Sequence, residues 1–384
     1  TDSGASVQRA RVLVCEKIAD AGVALLEERF DVDLGLDWDL DTLMSRVAEY
    51  DALVVRSATK VTAEMIDRAE RLRVVGRAGT GVDNVDVAAA TRRGIVVCNA
   101  AGSNAISAAE HAIALLLAQA RNIPQAHSSL VQGRWERSKY GGIEVTGKTL
   151  GVLGFGRIGQ LVAERARGLG MHVVAYDPFV AEARVRELGV ERAETPEELY
   201  SQSDFLTLHL ASSPETRGLV GREAFAAMKP TARIVNDARG DIIDTEALVE
   251  ALETGQIAGA AIDVFPEEPT TESPLFGLPG VVVTPHLGAS TSEAQDRAGL
   301  VVAEQVAAAL DGGLVTLAVN VPAIAPEALD VLGPFLPLAG KMGRLIAALA
   351  EGHLGELEIS YEGQLANLDT RLLTSSVLAG LLQG

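Results

Sequence analysis

Cysteine, long apolar runs and positive charge are all scarce in this sequence. Only 2 of its 384 residues are cysteine, and both Cys15 and Cys98 fall in short apolar segments. Such cysteines indicate buried free thiols in a reducing compartment rather than a disulfide. The longest apolar run, 112–118, is far too short to cross a bilayer, and no basic leader with an apolar stretch opens the chain. We therefore expect a cytoplasmic protein with no membrane partner.

The charge balance excludes a second group of partners. Lys and Arg number 33 against 52 Asp and Glu, so the net charge is −19. A chain with this charge repels nucleic acids and anionic membrane surfaces, and we expect neither as a partner. An anionic small molecule would have to be held by a local group of arginines.

The first part of the chain alternates between strand and helix patterns. Short, consecutive apolar runs predict strands at 11–15, 51–56, 73–76 and 95–98. Runs of this kind are typical of strands buried on both faces of a parallel sheet. Helical patterns lie between them, at 21–30, 41–49, 62–70 and 85–93. The pattern predicts a doubly wound α/β unit.

A second unit of the same kind follows. A long apolar helix is expected at 107–119, with Ser107 and Glu110 as its capping box. Six strands are then expected near residues 150, 173, 205, 233, 258 and 281. A helix at 291–310 leaves this unit, and 319–321 returns to the first sheet.

These elements predict the fold class and the domains. We expect an α/β protein with two doubly wound parallel-sheet (Rossmann-like) domains, the nucleotide domain being inserted in the substrate domain. The substrate domain would comprise 1–104 and 295–322, and the NAD-binding domain 105–294. In the tail, 323–384, a helix near 338–350, a half-exposed strand at 357–362 and a last helix are too few to close a core. We interpret this tail as a partial α+β segment, the start of an intervening or regulatory domain.

A glycine motif, 154–159, stands between the first strand of the second unit and a helix. Gly154 allows the tight turn, Gly156 lets the backbone approach a pyrophosphate, and Gly159 lets the helix pack on the strand. The next apolar run ends in Asp177, at the position of the carboxylate that binds ribose hydroxyls. That carboxylate would repel a 2′-phosphate. The motif therefore predicts a dinucleotide site that prefers NAD to NADP.

A second glycine motif, 142–149, matches the Walker A pattern of ATP-binding loops. In that pattern a strand precedes the loop and a helix follows it. Here Lys148 and Thr149 lead into a strand instead, so we do not expect ATP binding at this motif.

Polar side chains with suitable chemistry follow the last three strands of the second unit. Arg239, Glu268 and His286 each come after an apolar run, so they are expected at the carboxyl edge of the sheet, where ligands bind. A histidine oriented by a carboxylate is a typical acid–base group for alcohol oxidation. An arginine holds a carboxylate with two hydrogen bonds. Surface ion pairing is the alternative for Arg239 and Glu268.

The motifs at 153–159, 236–240, 263–269 and 285–291 together resemble the NAD-dependent D-2-hydroxyacid dehydrogenase family. The segments 55–59, 77–86 and 109–111 are similar to its D-3-phosphoglycerate dehydrogenase branch. The resemblance implies NAD as cofactor and oxidation of 3-phosphoglycerate to 3-phosphohydroxypyruvate, the first step of L-serine biosynthesis. The tail is similar to the start of the intervening domain of long-form members, in which a serine-binding ACT domain follows.

The resemblance also implies roles for individual residues. His286 would be the acid–base group, Glu268 its partner and Arg239 the ligand of the substrate carboxylate. The implied cofactor contacts are Thr80, Gly154, Gly156, Arg157, Ile158, Gly159, Asp177, His209, Leu210, Thr216, Asp237, Ala238, Asp263, Gly288 and Ala289. The implied substrate contacts are Arg56, Ser57, Gly79 and Asn104, and no metal site is expected. Asp237 departs from the family pattern, in which a small or uncharged residue lies close to the cofactor.

Several alternatives remain open at this point. Arg56 and Arg77, with basic residues around Trp135, would form a basic rim for the phosphorylated substrate, or the Trp135 loop would contact another subunit. With the helix at 107–119, that loop suggests a homodimer or homotetramer. Other candidate functions are a glyoxylate/hydroxypyruvate reductase and, in another class, an NAD-sensing protein similar to transcriptional corepressors.

Overall fold

The computed structural model describes residues 9–321, 331–350 and 355–383. The chain forms two compact units, Thr1–Ala101 with Ala298–Gly384, and Gly102–Arg297. In the described ranges, every helix is too short or too polar for a bilayer crossing.

The first unit contains a parallel sheet with the order β2-β1-β3-β4-β5. Its strands are β1 (Arg11–Val14), β2 (Asp31–Leu34), β3 (Ala52–Val55), β4 (Val74–Arg77) and β5 (Val96–Asn99). The helices between them are α1 (Asp20–Glu27), α2 (Leu40–Arg46), α3 (Ala63–Arg68) and α4 (Val87–Arg92). The four predicted strands and four predicted helices are confirmed. The sequence did not reveal β2, an edge strand with none of its residues buried.

Residues after the second unit return to this sheet, as expected. Cys98 forms an antiparallel bridge with Ala318, and the amide of Val319 donates to the carbonyl of Val97 at 2.8 Å. The Asn320 side chain accepts a hydrogen bond from the amide of Val97 at 2.8 Å. This segment thus extends the sheet beyond β5.

The second unit contains a parallel sheet with the order β12-β11-β10-β9-β6-β7-β8. Its strands are β6 (Thr149–Leu153), β7 (His172–Tyr176), β8 (Glu191–Arg192), β9 (Phe205–Leu208), β10 (Arg233–Asn236), β11 (Gly259–Ile262) and β12 (Val281–Val283). Its helices are α5 (Ala105–Ala120), α6 (Ile123–Val131), α7 (Arg157–Gly168), α8 (Glu182–Glu187), α9 (Pro196–Gln202), α10 (Arg222–Ala227), α11 (Thr245–Glu253) and α12 (Ser292–Leu310), in which the chain passes back to the first unit. The six predicted strands and the prediction of two parallel Rossmann-like sheets are confirmed.

The start of α5 differs from the prediction. The helix begins at Ala105, with Asn104 in the capping position, so Ser107 lies inside its first turn. The Ser107 hydroxyl hydrogen-bonds the hydroxyl of Thr291 at 2.7 Å instead of capping the helix. The predicted capping box is therefore wrong, because a capping serine must precede the first helical residue.

The tail contains two packed helices, α13 (Leu336–Leu349) and α14 (Arg371–Gln383). A Cβ at Gly343 would lie 2.0 Å from the carbonyl oxygen of Val377, so the helices approach closely at this glycine. The strand predicted at 357–362 is wrong, since this segment has irregular backbone and no strand pairs with it in the described part of the tail. Its apolar residues pack on the helices, as Ile359 does, so apolar alternation arises here without a sheet.

Candidate active site

The glycine motif leaves open space at the start of α7. Gly154 has a φ of +94°, and a Cβ there would lie 2.6 Å from the carbonyl oxygen of His209. A Cβ at Gly159 would lie 2.2 Å from the carbonyl oxygen of Gly154. Gly156 caps α7, and no atom of the described residues lies within 4 Å of the position of its Cβ. The tight turn, the close helix and the open cradle all fit a pyrophosphate at the helix N-terminus.

Asp177 lies beside this cradle, directly after β7. Its Oδ2 accepts a hydrogen bond from the amide of Phe155 at 2.8 Å, and its Oδ1 accepts one from the amide of Phe179 at 2.8 Å. Each carboxylate oxygen keeps a further lone pair for ribose hydroxyls. Arg157, the first residue of α7, is exposed, whereas Ile158 is partly buried. The residues present therefore fit a dinucleotide.

The chain after β9 forms the next part of the edge. The side chain of His209 is 1% exposed, and burial lowers the pKa of His209 to about 3, so the imidazole is neutral. Its Nε2 lies 2.9 Å from the hydroxyl of Thr207. Leu210 is partly buried. The hydroxyl of Thr216 accepts from the amide of Ser213 at 2.8 Å and donates to the carbonyl of Ala211 at 2.7 Å, which closes this loop.

Asp263 organises the loop after β12. It is fully buried, directly after β11, and accepts from the Thr284 hydroxyl at 2.5 Å and from the amides of Leu287 and Gly288 at 2.8 and 2.9 Å. Although burial favours the protonated form, these bonds and one from His111 hold the pKa of Asp263 below its usual value. The carboxylate thus fixes 284–288, with Ala289 partly buried at its end.

His111, on α5, lies beside the Asp263 carboxylate, although no role was predicted for it. Its Nε2 lies 3.1 Å from Oδ1 of Asp263 and 3.2 Å from the hydroxyl of Thr284. The hydrogen bond to Asp263 raises the pKa of His111, in spite of partial burial. In the sequence, the motif at 109–111 was the available signal that His111 belongs to the site.

His286 and Glu268 form the pair that the sequence predicted. Nδ1 of His286 lies 2.5 Å from Oε2 of Glu268, and the two side chains are 45% and 32% exposed. The amide of Phe265 donates to Oε1 of Glu268 at 2.8 Å. Burial favours protonation of Glu268, but the hydrogen bonds from His286 and Phe265 keep its pKa below the usual value. A carboxylate on Nδ1 leaves Nε2 as the ring nitrogen for proton transfer.

Arg239 lies at the same edge, after β10. It is half-buried, and its Nη1 donates to the carbonyl of Ala238 at 2.7 Å. The backbone packs tightly here, since a Cβ at Gly240 would lie 2.0 Å from the carbonyl carbon of Phe265. Since β10, β11 and β12 are neighbours, Arg239, Glu268 and His286 all come from adjacent strand ends.

Asp237 is the unusual residue of this edge. Its side chain is 1% exposed, and neither carboxylate oxygen has a hydrogen-bond partner among the described residues. Burial and repulsion from Asp263 raise the pKa of Asp237 to about 7. The nearest imidazole nitrogen, Nδ1 of His209, is 3.7 Å from Oδ1, beyond hydrogen-bond length.

The first unit has its own cluster after the carboxyl ends of β1, β3 and β4. Glu16 accepts hydrogen bonds from the amides of Arg56, Ala58 and Thr59 at 2.8, 3.1 and 2.9 Å. Burial opposes ionisation of Glu16, but these amides hold its pKa below the usual value. Asn84 donates to the carbonyls of Arg56 and Thr59 at 2.7 and 2.6 Å. Neither Glu16 nor Asn84 was predicted as a site residue, although Asn84 lies in the segment 77–86 that carries the resemblance.

The remaining predicted substrate contacts divide between the units. Arg77 donates to the hydroxyl of Ser57 at 3.1 Å, and the amide of Ala100 donates to the carbonyl of Gly79 at 2.9 Å. Thr80, predicted as a cofactor contact, also lies in the first unit, where its carbonyl accepts from the Asn99 side chain. Asn104 belongs to the second unit, before α5.

The loop around Trp135 is less basic than its sequence suggests. Glu136 accepts a hydrogen bond from Ser129 at 2.7 Å and lies 3.4 Å from Arg134 and 3.7 Å from Lys139. Trp135 is 82% exposed. Across the described ranges, no group of His, Cys, Asp and Glu residues is placed to hold a metal ion.

Two family matches cover different parts of the chain. Residues 113–288 match the D-isomer specific 2-hydroxyacid dehydrogenase, NAD binding domain. Residues 331–384 match the D-3-phosphoglycerate dehydrogenase intervening domain.

Relatives and solved structures are similar to this chain over most of its length. A D-3-phosphoglycerate dehydrogenase of Methanocaldococcus jannaschii is 46% identical over 97% of this chain and 71% of its own length. One from Mycobacterium leprae is 49% identical over 96% of this chain and 70% of its own length. Among solved structures, an NADPH-dependent glyoxylate/hydroxypyruvate reductase of Sinorhizobium meliloti has a TM-score of 0.72 at 30% identity, covering 81% of this chain and 97% of that one.

Proposed function

This chain belongs to the D-3-phosphoglycerate dehydrogenase family, and we propose that Arg239, Glu268 and His286 carry its chemistry. The reaction is the NAD-dependent oxidation of 3-phospho-D-glycerate to 3-phosphohydroxypyruvate, the first step of L-serine biosynthesis. When bound, NAD supplies the hydride acceptor.

The cofactor would lie along the carboxyl edge of the second sheet. Asp177 would bind the adenosine ribose, and the amides at the start of α7 would bind the pyrophosphate beside Gly156. The sheet order puts β9, β10 and β11 on the other side of β6 from β7. The implied cofactor contacts on the nicotinamide half are therefore the residues after those strands, such as His209, Ala238 and Asp263.

Proton transfer would belong to His286. Glu268 holds Nδ1, so the imidazole presents Nε2 for the proton of the substrate hydroxyl. The carboxylate also stabilises the imidazolium that forms when that proton arrives. Arg239 would bind the substrate carboxylate with its guanidinium.

Arg56 would bind the phosphate end of the substrate. The amides bound to Glu16 fix the loop that carries Arg56 and Ser57, and Arg77 bonds the Ser57 hydroxyl. Gly79 and Asn104 would complete the substrate side. A fixed loop keeps the arginine available at little entropic cost, which favours an anion in spite of the net charge of −19.

The observation that carries the catalytic assignment is the bond of 2.5 Å between His286 and Glu268. We expect His286→Ala to lower kcat by about 10²–10⁴-fold, because the acid–base group is lost. The measurement is NADH formation with 3-phosphoglycerate, with glycerate and 2-hydroxyglutarate for comparison. Wild-type turnover in the variant at neutral pH would disprove the assignment of the base.

A second experiment tests the phosphate end. We expect Arg56→Ala to raise KM for 3-phosphoglycerate by about tenfold or more, because a charged hydrogen bond is lost, and to leave KM for glycerate nearly unchanged. Equal increases for both substrates would contradict a phosphate-binding role for Arg56. The glyoxylate/hydroxypyruvate reductase alternative is not favoured, since the curated relatives at 46% and 49% identity are D-3-phosphoglycerate dehydrogenases.

We also propose the domain limits predicted above, with 1–104 and 295–322 binding substrate, 105–294 binding NAD and 323–384 starting the intervening domain.

A homodimer or homotetramer is supported by the apolar side chains of Leu130, Val131 and Trp135, which are 56%, 69% and 82% exposed. Sedimentation of wild type and Trp135→Glu tests this, and a wild-type monomer would contradict it. The two free buried cysteines support a cytoplasmic location, which cell fractionation tests.

A further inference from the structure

Asp237 is a buried acid that lacks any donor in the described protein. Its side chain is 1% exposed, and both oxygens lack hydrogen-bond partners. A carboxylate in such a place is costly when ionised, because water is lost and no donor replaces it. Burial and the neighbouring Asp263 accordingly raise its pKa to about 7, so the acid is largely protonated below neutral pH.

The position of Asp237 makes this acid relevant to the cofactor. It follows β10, which lies between β9 and β11 on the side of β6 away from Asp177. A dinucleotide crosses the carboxyl edge at β6, so its nicotinamide half extends toward β10. A Cβ at Gly288 would lie 3.4 Å from Oδ2 of Asp263 and 3.9 Å from Oδ2 of Asp237, so both acids face the same glycine.

The groups around Asp237 differ in their ability to exchange a proton with it. Asp263 accepts four hydrogen bonds, including that of His111, and remains ionised. His209 is neutral, since burial lowers its pKa to about 3. Asp237 is therefore the acid of this cluster that carries a removable proton. The titratable groups that face it are Asp263 after β11, His209 after β9, His111 of α5 and His286 after β12.

We propose that Asp237 makes the enzyme distinguish the two oxidation states of its cofactor, because the acid loses its proton when the cationic ring of NAD⁺ binds and keeps it when neutral NADH binds. The O–H bond of the carboxylic acid breaks, the proton passes to solvent, and the carboxylate stays beside the positive ring. This inference rests on the proposed location of the nicotinamide half.

The expected size of the effect follows from linkage. An acid whose pKa is raised by folding loses its proton as pH rises through that pKa. The affinity for a ligand that binds the ionised form therefore increases over the same pH range. If the ionised form binds NAD⁺ about tenfold more tightly, the affinity rises about fivefold between about pH 6 and about pH 8, with release of about 0.4 proton at about pH 7. NADH should show neither effect.

Calorimetric titration of the full chain with NAD⁺ and with NADH tests this, over that pH range and in two buffers with different ionisation enthalpies. We expect the pH dependence and the proton release in wild type with NAD⁺ alone, and their loss in Asp237→Asn. The exposed Glu246 provides a matched control, since Glu246→Gln removes the same charge and should behave like wild type. Because Asp237→Asn could misfold, Asp237→Ala provides a second variant without a titrating group.

Four results would overturn the proposal. Equal pH dependence with NADH would indicate a hydrogen bond rather than a charge effect. A pH dependence that survives in both Asp237 variants would belong to His111 or His286. A pH-independent affinity with normal turnover would refute the role of Asp237 and leave the assigned function intact, whereas failure to bind either cofactor would refute the cofactor site as well.

Discussion

Each unit of this chain uses one carboxylate at a strand end to hold a loop, but the two carboxylates have different surroundings. Glu16 accepts from three backbone amides of 56–59, and within the described ranges no second acid is among its hydrogen-bond partners. Asp263 accepts from the amides of Leu287 and Gly288, and it has a second acid, Asp237, beside it. In the first unit, backbone amides thus compensate the charge of the Glu16 carboxylate. In the second unit, Asp263 is ionised beside Asp237, whose charge state we propose depends on the bound cofactor.

The largest effect is expected when the carboxylate of the second unit is removed. Asp263→Asn should destabilise the protein by about 3 kcal/mol or more, because buried donors lose a charged acceptor and an amide N–H faces other donors. Thermal unfolding checks this. Thr284→Val removes only the hydroxyl that donates at 2.5 Å, so a loss of about 1 kcal/mol is expected there. Equal losses in the two variants would contradict a central role for the Asp263 carboxylate.

The matching change in the first unit should act on substrate binding. Glu16→Gln leaves one acceptor oxygen for three amides, so we expect a loss of about 1–2 kcal/mol in stability and a several-fold rise in KM for 3-phosphoglycerate, with kcat nearly unchanged. Steady-state kinetics check this.

Asp33→Asn is the control for this variant. Asp33 is also an acid of the first unit, but it bonds the side chains of Arg11 and Tyr50, both at 2.7 Å, rather than backbone amides of the substrate loop. This variant should leave KM unchanged. A fall in kcat with unchanged KM in Glu16→Gln would mean that Glu16 does not act through the substrate loop.

The smallest expected effect depends on pH. The bond to Asp263 raises the pKa of His111, so the charged form contributes stability that is full below the unfolded pKa of about 6.5 and is lost as pH rises through the folded pKa. His111→Gln should therefore lower Tm most at about pH 6 and less at about pH 9. If His111→Gln lowered Tm by the same amount over this pH range, His111 would contribute to stability through packing alone.

Most strands could be predicted from the sequence because their residues are buried. In β3, for example, all four residues are buried, so the strand appears in the sequence as a continuous apolar run. β2 escaped detection because its residues are exposed or half-exposed, and β8 has only 2 residues. The strand predicted at 357–362 shows the opposite error, since alternating apolar residues require a neighbouring strand to form a sheet.

The site residues divide in the same way. His286 and Glu268 could be predicted because their chemistry is conspicuous and each follows an apolar run. Glu16 could not, since a carboxylate that binds backbone amides of a distant loop leaves no pattern in the sequence. The protonation of Asp237 was equally inaccessible, because it depends on burial and on Asp263.

The backbone at His286 has a φ of +54°, in the left-handed region that glycine adopts most easily. A β-carbon in this conformation costs about 1 kcal/mol of backbone strain, which fits the proton-transfer role that we propose for the imidazole. His286→Gly would relieve that strain, but it would also remove the imidazole that bonds Glu268 at 2.5 Å. The residue to which we assign proton transfer is therefore also the one that strains the backbone here.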